Sequence, residues 1–254
     1  FIIGNIVGSN IANIALILGA GLILGGSMGF SRIALRRDMP ILLAVSLALA
    51  VWFYFAPDLP AGMNGVGRLG GILLLAACVG YTVLLCRNSA AVAGEAAEAV
   101  LMSRRGAVGL IVLGLMMITA GAKLMVDTVV VTAQQWGVDP LVISLTVVAV
   151  GTSLPELAVT ISGVLKKRHD IALGNIIGSC IYNIALIVGC CAVIAPLRST
   201  GSESLIALGI MILTAAALWL FMAAGKTLRR WQGWLPQAGY DLFLVWTVIF
   251  CRRR

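Results

Sequence analysis

Hydrophobic residues run in long stretches along this chain, separated by short segments that hold most of the charged residues, Pro and Gly. A helix needs about 20 apolar residues to cross a bilayer core, and all the stretches approach or exceed that length. Since backbone groups in lipid must bond within their own segment, each stretch is predicted to be a membrane-spanning helix. The predicted spans are 1–30, 40–56, 68–86, 106–135, 140–165, 171–196, 204–224 and 231–251.

The composition indicates that lipid is the solvent for most of the chain. Hydrophobic residues make up 61% of the 254 and charged residues 11%, with a mean hydropathy of +1.06. Soluble domains carry about 25% charged residues. The six cysteines lie in apolar stretches without a CxxC pair, which predicts buried thiols rather than disulfides or zinc ligands.

The net charge of +8 does not indicate a nucleic-acid partner, because the basic residues cluster between the spans. The loops after spans one, three, five and seven hold twelve Lys and Arg, whereas the opposite loops hold only Arg68 and Arg198. The positive-inside rule places the twelve on the cytoplasmic side. Residues 252–254, all Arg, disagree with this assignment and carry less weight than four concordant loops.

One segment occurs twice. Residues 4–19 read GNIVGSNIANIALILG and residues 174–189 read GNIIGSCIYNIALIVG, with twelve of sixteen positions identical at an offset of 170. Five spans separate the starts of the two copies, so the copies cross the membrane in opposite directions. An inverted repeat of this kind is typical of secondary transporters, whose binding site lies at the repeat interface near the midplane.

Glu156 is the acidic residue most clearly placed inside a span, between LTVVAV and LAVTI. An intramembrane carboxylate is costly and marks a functional site by default. Pro155 has no N–H, so the Gly151 carbonyl loses its helical donor and the helix is predicted to break or kink there. The break exposes carbonyls beside Thr152, Ser153 and Glu156, an oxygen-rich set that suits a hard cation such as Ca²⁺.

The repeated segment supplies polar residues at helical spacing. Its second copy has Asn175, Ser179 and Asn183 at i, i+4 and i+8, which places them on one helix face. Asn5, Ser9 and Asn13 repeat that pattern in the first copy. The stripe could bond helices together or line an ion pathway, and the facing Glu156 favours the pathway.

These residues resemble the calcium/cation antiporter superfamily, in its prokaryotic-type sodium/calcium exchanger branch. Residues 145–189 are similar to the second α-repeat of that family nearly throughout, and residues 4–19 to the end of the first. GTSLPE at 151–156 combined with GNxxGS is specific to this branch. The resemblance implies Na⁺ and Ca²⁺ as the transported ions, alternating access and no cofactor. It implies these ion ligands: Glu156, Thr152, Ser153, Ser179, Asn183, Ser9, Asn13 and the Ala149 carbonyl.

The implied fold is an all-α integral membrane protein, an inverted-repeat transporter bundle with about eight transmembrane helices present of an expected ten or so. Residues 1–86 would be the remainder of the first repeat with three helices, 87–105 a cytoplasmic linker, and 106–254 the second repeat with five helices. The chain opens at Phe1 inside the motif, so we expect two further helices upstream. They would carry a partner for Glu156 about fifteen residues before Phe1.

Two departures from the family pattern affect the expected activity. Without a second carboxylate a divalent ion is under-neutralised, so residues 1–254 alone are not expected to transport. Asn183 stands where some relatives have Asp, which leaves selectivity, stoichiometry and potassium dependence open.

Three readings of the function remain. The leading one is a Na⁺/Ca²⁺ antiporter in a bacterial inner membrane, crossing it several times. The others are an antiporter of the same fold coupled to H⁺ or another cation, and a non-transporting truncated fragment. An enzyme is not expected, since the sequence shows no nucleophile–base set. The oligomeric state is open.

Overall fold

The computed structural model describes residues 2–55, 59, 64–92, 104–135, 140–199 and 203–251, which are almost wholly helical. The predicted all-α architecture is confirmed, and the fifth predicted span is divided between two helices. In chain order the helices are α1 (Ile2–Gly25), α2 (Ala34–Phe55), α3 (Arg68–Val92), α4 (Arg104–Gln135), α5 (140–152), α6 (Leu154–Leu165), α7 (His169–Ile194), α8 (Glu203–Ala223) and α9 (Trp231–Cys251).

Five of these helices, α1, α2, α3, α7 and α8, are long and apolar enough to cross a membrane unaided. The others fill the remaining predicted spans with more polar or interrupted sequence. Helix α4 carries Lys123 and Asp127, α9 carries Asp241, and α5 and α6 share one span. The described helices therefore agree with the predicted count of about eight spans.

Helix α1 occupies the centre of the bundle. It is 83% buried along its span, against 33% for α2 and 28% for α3. It packs against α5, α6, α7, α8 and α9. The outer helices expose large apolar side chains such as Val51, Leu73 and Leu213. Such a surface suits lipid as its solvent.

The two repeats make the same helix contacts in opposite orientations. Helix α1 packs against α8 and α9, and α7 packs against α2 and α3. In each case two glycines meet: a Cβ on Gly233 would lie 2.8 Å from Gly19 O, and one on Gly71 would lie 2.8 Å from Gly189 O. Gly19 and Gly189 are 170 residues apart, the offset of the sequence repeat. Small residues let these helices approach closely, as is usual in membranes.

Among the described residues, four three-residue strands lie outside the helices. They are β1 (Ser27–Gly29), β2 (Asn64–Val66), β3 (Leu197–Ser199) and β4 (Thr227–Arg229). Strand β1 pairs antiparallel with β4, and β2 with β3. Strands β1 and β4 follow helices α1 and α8, and the charge pattern assigns the segments after these helices to the cytoplasmic side. Strands β2 and β3 follow spans two and six, so each pair joins loops that are predicted to share a side.

The predicted cytoplasmic linker, 87–105, falls mostly outside the described residues. Helix α3 continues to Val92 and α4 begins at Arg104, while residues 93–103 are not described. The division of the chain into two repeats joined by this linker stays a prediction.

The strand pairs allow a direct test of sidedness. In a variant without its native cysteines, we expect Thr227→Cys to react with a membrane-impermeant maleimide only in inside-out vesicles. Arg198→Cys should react only in right-side-out vesicles, because β3 lies on the opposite side. Both positions are exposed, and buried Ser46→Cys is the unreactive control. Reaction of positions 198 and 227 from the same face would contradict the assignment.

Candidate functional site

The fifth span is interrupted at Ser153, between α5 and α6. Ser153 has φ −95° and ψ 5°, and Pro155 lies in the first turn of α6, where a missing N–H is tolerated. The Ser153 N–H donates to Val150 O at 3.0 Å, whereas a continuous α-helix would pair it with Ala149 O. The predicted helix break is present, and it releases the Ala149 carbonyl from its usual helical partner.

Two hydroxyl groups reach this carbonyl. Thr152 Oγ1 lies 3.1 Å and Ser9 Oγ 3.4 Å from Ala149 O, and the two hydroxyl oxygens are 3.2 Å apart. Asn5 completes the cluster, with its backbone oxygen 2.7 Å from Ser9 Oγ and its Oδ1 3.3 Å from Thr152 Oγ1. Three of the predicted ligands, drawn from both repeats, therefore share one group of oxygens.

Glu156 lies in the first turn of α6, where the positive end of the helix dipole favours a carboxylate. Its Oε2 is buried and accepts no hydrogen bond from any described residue. Asn13 Oδ1 is in the same condition. The π-helical turn Ala12–Leu18, which carries Asn13, packs against α6. Buried oxygens are nearly always paired, so each of these two atoms lacks the partner that buried oxygens normally have.

Asn175 attaches α6 to α7. Its Nδ2 lies 3.2 Å from Glu156 O and 3.3 Å from Thr160 Oγ1. Ser179 and Asn183 follow one and two turns further along α7, and both are half-buried. Asn175 therefore bonds α6 to α7, and Ser179 and Asn183 continue the same face of α7.

The two repeat amides, Asn13 and Asn183, each belong to a π-helical turn, Ala12–Leu18 and Asn183–Val188. Turns of this kind are frequent at functional sites. Asn183 Nδ2 donates to Asn10 Oδ1 at 2.9 Å, and Asn13 Nδ2 lies 3.9 Å from Cys180 Sγ. Neither Asn10 nor Cys180 is predicted from the sequence as a site residue. The available signal is that Asn10 and Cys180 occupy one of the four positions at which the two copies differ.

Hydrogen bonds link some of the predicted ligands directly to one another. Within the described residues no three His, Cys, Asp or Glu side chains cluster. The structure joins Ser9, Ala149 and Thr152, places Ser153 and Glu156 at the same helix break, and places Asn13, Ser179 and Asn183 on α1 and α7.

A family model described as "Sodium/calcium exchanger protein" matches residues 1–87 and 106–249. The chain belongs to this family. It is 34% identical over 240 residues to CaxA of Alkalimonas amylolytica, covering 90% of this chain and 71% of CaxA. It is 33% identical over 204 residues to inner membrane protein YrbG of Escherichia coli, covering 76% of this chain and 60% of YrbG.

The fold of this family member agrees with a solved exchanger. The structure of the sodium-calcium exchanger NCX_Mj soaked with 2.5 mM Na⁺ and 10 mM Sr²⁺ matches 96% of this chain and 76% of that one. The TM-score is 0.72 and the sequence identity is 29%. The chain is therefore a multi-pass membrane protein with an antiporter fold.

The contact that brings α5 to α1 depends on Gly8. A Cβ at this position would lie 2.5 Å from Leu145 O and 2.8 Å from Ala149 Cβ. We expect Gly8→Ala to push α5 from α1 and to lower the free energy of unfolding by about 1–3 kcal/mol, the usual cost of overpacking. Thermal unfolding in detergent measures this.

Gly209→Ala is the matched control, because a Cβ on Gly209 in α8 would meet nothing within 4 Å. Helix propensity should leave this variant neutral or more stable by up to about 1 kcal/mol. Equal losses in the two variants would mean that the Gly8 contact does not hold α5 in place.

Proposed function

We propose that this chain forms the larger part of a secondary antiporter that exchanges Na⁺ for Ca²⁺ by alternating access. The proposal rests chiefly on Glu156 Oε2 and Asn13 Oδ1, two buried oxygens without a donor among the described residues. They lie on segments that pack against each other. A desolvated carboxylate is stable only with a positive partner, and a transported cation supplies one.

The proposed ligands are oxygens of four chemical types. Ca²⁺ takes six to eight oxygen ligands, and neutral oxygens let one site accept both a divalent and a monovalent ion. The carboxylate is Glu156, the hydroxyls are Ser9, Thr152, Ser153 and Ser179, the amides are Asn13 and Asn183, and the backbone carbonyl is that of Ala149. Competition for shared ligands would couple the two ions, since neither binds fully while the other is present.

Alternating access would use the two repeats as moving units. We propose 1–86 and 106–254 as those units, joined by 87–105. The repeated contacts of α1 with α9 and of α7 with α3 support two equivalent packing arrangements. In transporters with inverted repeats, rocking of one repeat against the other opens the site to each side in turn.

The site needs more negative charge than Glu156 supplies, because one carboxylate leaves Ca²⁺ with a net positive charge in a low-dielectric interior. Gly8 on α1 packs against α5, whereas a Cβ on its repeat equivalent, Gly178 on α7, would meet nothing within 4 Å. We propose that a helix pair related to α5 and α6 covers Gly178 and contributes a second carboxylate.

The similarity to inner membrane protein YrbG supports a location in the cell inner membrane. Ca²⁺ and Na⁺ are the proposed cargo, and the proposal includes no resident cofactor. The bilayer is the surrounding medium, so transport in lipid vesicles is the decisive assay.

The test reconstitutes the complete gene product that contains this chain in sodium-loaded vesicles. After dilution into sodium-free buffer, ⁴⁵Ca²⁺ should enter in proportion to the sodium gradient. Glu156→Gln should lower uptake by about 100-fold, because removing one member of a buried charge pair costs roughly 3 kcal/mol or more. Asp241→Asn on α9 should leave uptake unchanged, because Asp241 is exposed, accepts a hydrogen bond from Gln237 and lies outside the proposed ligand set.

Other outcomes select among the alternatives. Uptake that follows an imposed pH gradient and ignores sodium would indicate an H⁺-coupled antiporter of the same fold. Absence of uptake from well-folded protein would indicate a non-transporting role. Equal losses in Glu156→Gln and Asp241→Asn would remove Glu156 from the proposed site.

A further inference from the structure

Asn10 and Cys180 occupy equivalent positions in the two copies of the repeat and contact each other between α1 and α7. Asn10 Nδ2 donates to Cys180 O at 3.2 Å, and Cys180 Sγ lies 3.9 Å from Asn10 O. Asn10 is 1% exposed and Cys180 is 0% exposed. The contact is reciprocal, with each side chain directed at the backbone of the other residue.

The same two residues contact the side-chain amides of Asn13 and Asn183, and each contact joins one repeat to the other. Asn183 in the second repeat donates to Asn10 in the first at 2.9 Å. Asn13 in the first repeat points its Nδ2 at Cys180 in the second, at 3.9 Å. Each amide is therefore held by its nitrogen end by a residue of the opposite repeat.

The orientation of Asn10 fixes which atom it offers to Asn183. A carboxamide has one donor end and one acceptor end. The Asn10 Nδ2 is occupied by Cys180 O and, at 3.6 Å, by Met211 Sδ. Its Oδ1 is left as the acceptor, so the side chain of residue 183 must present a donor to it.

We propose that Asn10 is a positioning residue that holds Asn183 by its nitrogen, turns Asn183 Oδ1 toward the cation site, and thereby selects an amide over a carboxylate at position 183. This inference rests on the proposed exchange function, in which Asn183 is a ligand. A carboxylate at position 183 would place an oxygen about 3 Å from Asn10 Oδ1, and two acceptors at that distance repel each other. Relief requires Asn10 to turn over and give up its bond to Cys180 O.

The two amides are not held equally. Oxygen is a strong acceptor and a thiol sulfur a weak one, and the distances of 2.9 and 3.9 Å agree with that order. Removal of Asn10 should therefore affect Ca²⁺ binding more than removal of the Cys180 side chain. A general loosening of the α1–α7 contact would affect both alike.

The test is a double-mutant cycle on the complete gene product, with Asn10→Ala, Asn183→Asp and the pair measured by sodium-driven ⁴⁵Ca²⁺ uptake. Asn10→Ala should raise the KM for Ca²⁺ about tenfold with little change in maximal rate, since it releases a ligand without removing it. Asn183→Asp should be impaired while Asn10 is present. In the pair that impairment should shrink at least about fivefold, because the facing acceptor is gone.

Additive losses in the cycle would contradict the proposal, as would equal rises in KM for Asn10→Ala and Cys180→Ala. Ser46→Ala should leave the KM for Ca²⁺ unchanged, because Ser46 is buried on α2 and its hydroxyl donates to Leu42 O of the same helix. If Asn10→Ala does not fold, Asn10→Ser takes its place in the cycle, because a hydroxyl can donate to Asp and accept from Asn.

The cycle also separates this proposal from the proposed function. Absence of sodium-driven uptake by the unsubstituted protein would contradict the exchange function. Positioning by Asn10 is then judged by thermal unfolding of the same four proteins in detergent at neutral pH. Asn183→Asp should lower stability in the presence of Asn10 and have less effect with Ala at position 10, and equal effects would contradict the positioning role.

Discussion

Backbone groups set free inside a bilayer must find partners within the protein, and this requirement governs the break at Ser153. Lipid offers neither donors nor acceptors, so an interrupted helix is tolerated only where other helices enclose it. Helix α1 brings Ser9 to the released Ala149 carbonyl, and the Thr152 hydroxyl reaches the same oxygen. The central, largely buried position of α1 follows from that task. The groups that satisfy the break are the same polar groups that create an oxygen-rich site.

The inverted repeat explains why the contacts at the centre come in crossed pairs. When a two-fold axis relates two segments, equivalent residues that lie on the axis contact each other. A residue away from the axis contacts a different residue of the other segment, and its equivalent makes the matching contact in return. Asn10 and Cys180 behave as axial positions, each contacting the backbone of the other. Asn13 and Asn183, one turn further along, reach the axial residue of the opposite copy. The glycine contacts and the strand pairs repeat that exchange at the periphery.

The sequence was sufficient for the features that depend on a single segment. Hydrophobic runs located the spans, Pro155 located the helix break, and the repeated segment established the inversion. The Asn10–Asn183 bond could not be derived in that way, because helical periodicity treats each helix alone and this bond depends on how α1 crosses α7. The π-helical turns at Asn13 and Asn183 have no distinct sequence pattern. The three-residue strands are too short to show an alternating polar and apolar pattern in the sequence. Their pairing nevertheless agrees with the sidedness derived from the positions of the basic residues.

The chemistry of residue 183 sets how a site of this kind distinguishes its two ions. Attraction to a fixed negative charge scales with the charge of the ion, so one additional carboxylate favours Ca²⁺ over Na⁺ by roughly a factor of two in Coulomb energy. An amide at position 183 leaves Na⁺ better able to compete than a carboxylate would. Exchange requires that Na⁺ displace Ca²⁺, and a site that holds the divalent ion too firmly would not release it. In the proposed site, Asn10 favours a neutral amide at position 183 and so limits the negative charge around the ion. It does so through a hydrogen bond to Asn183, without being an ion ligand itself.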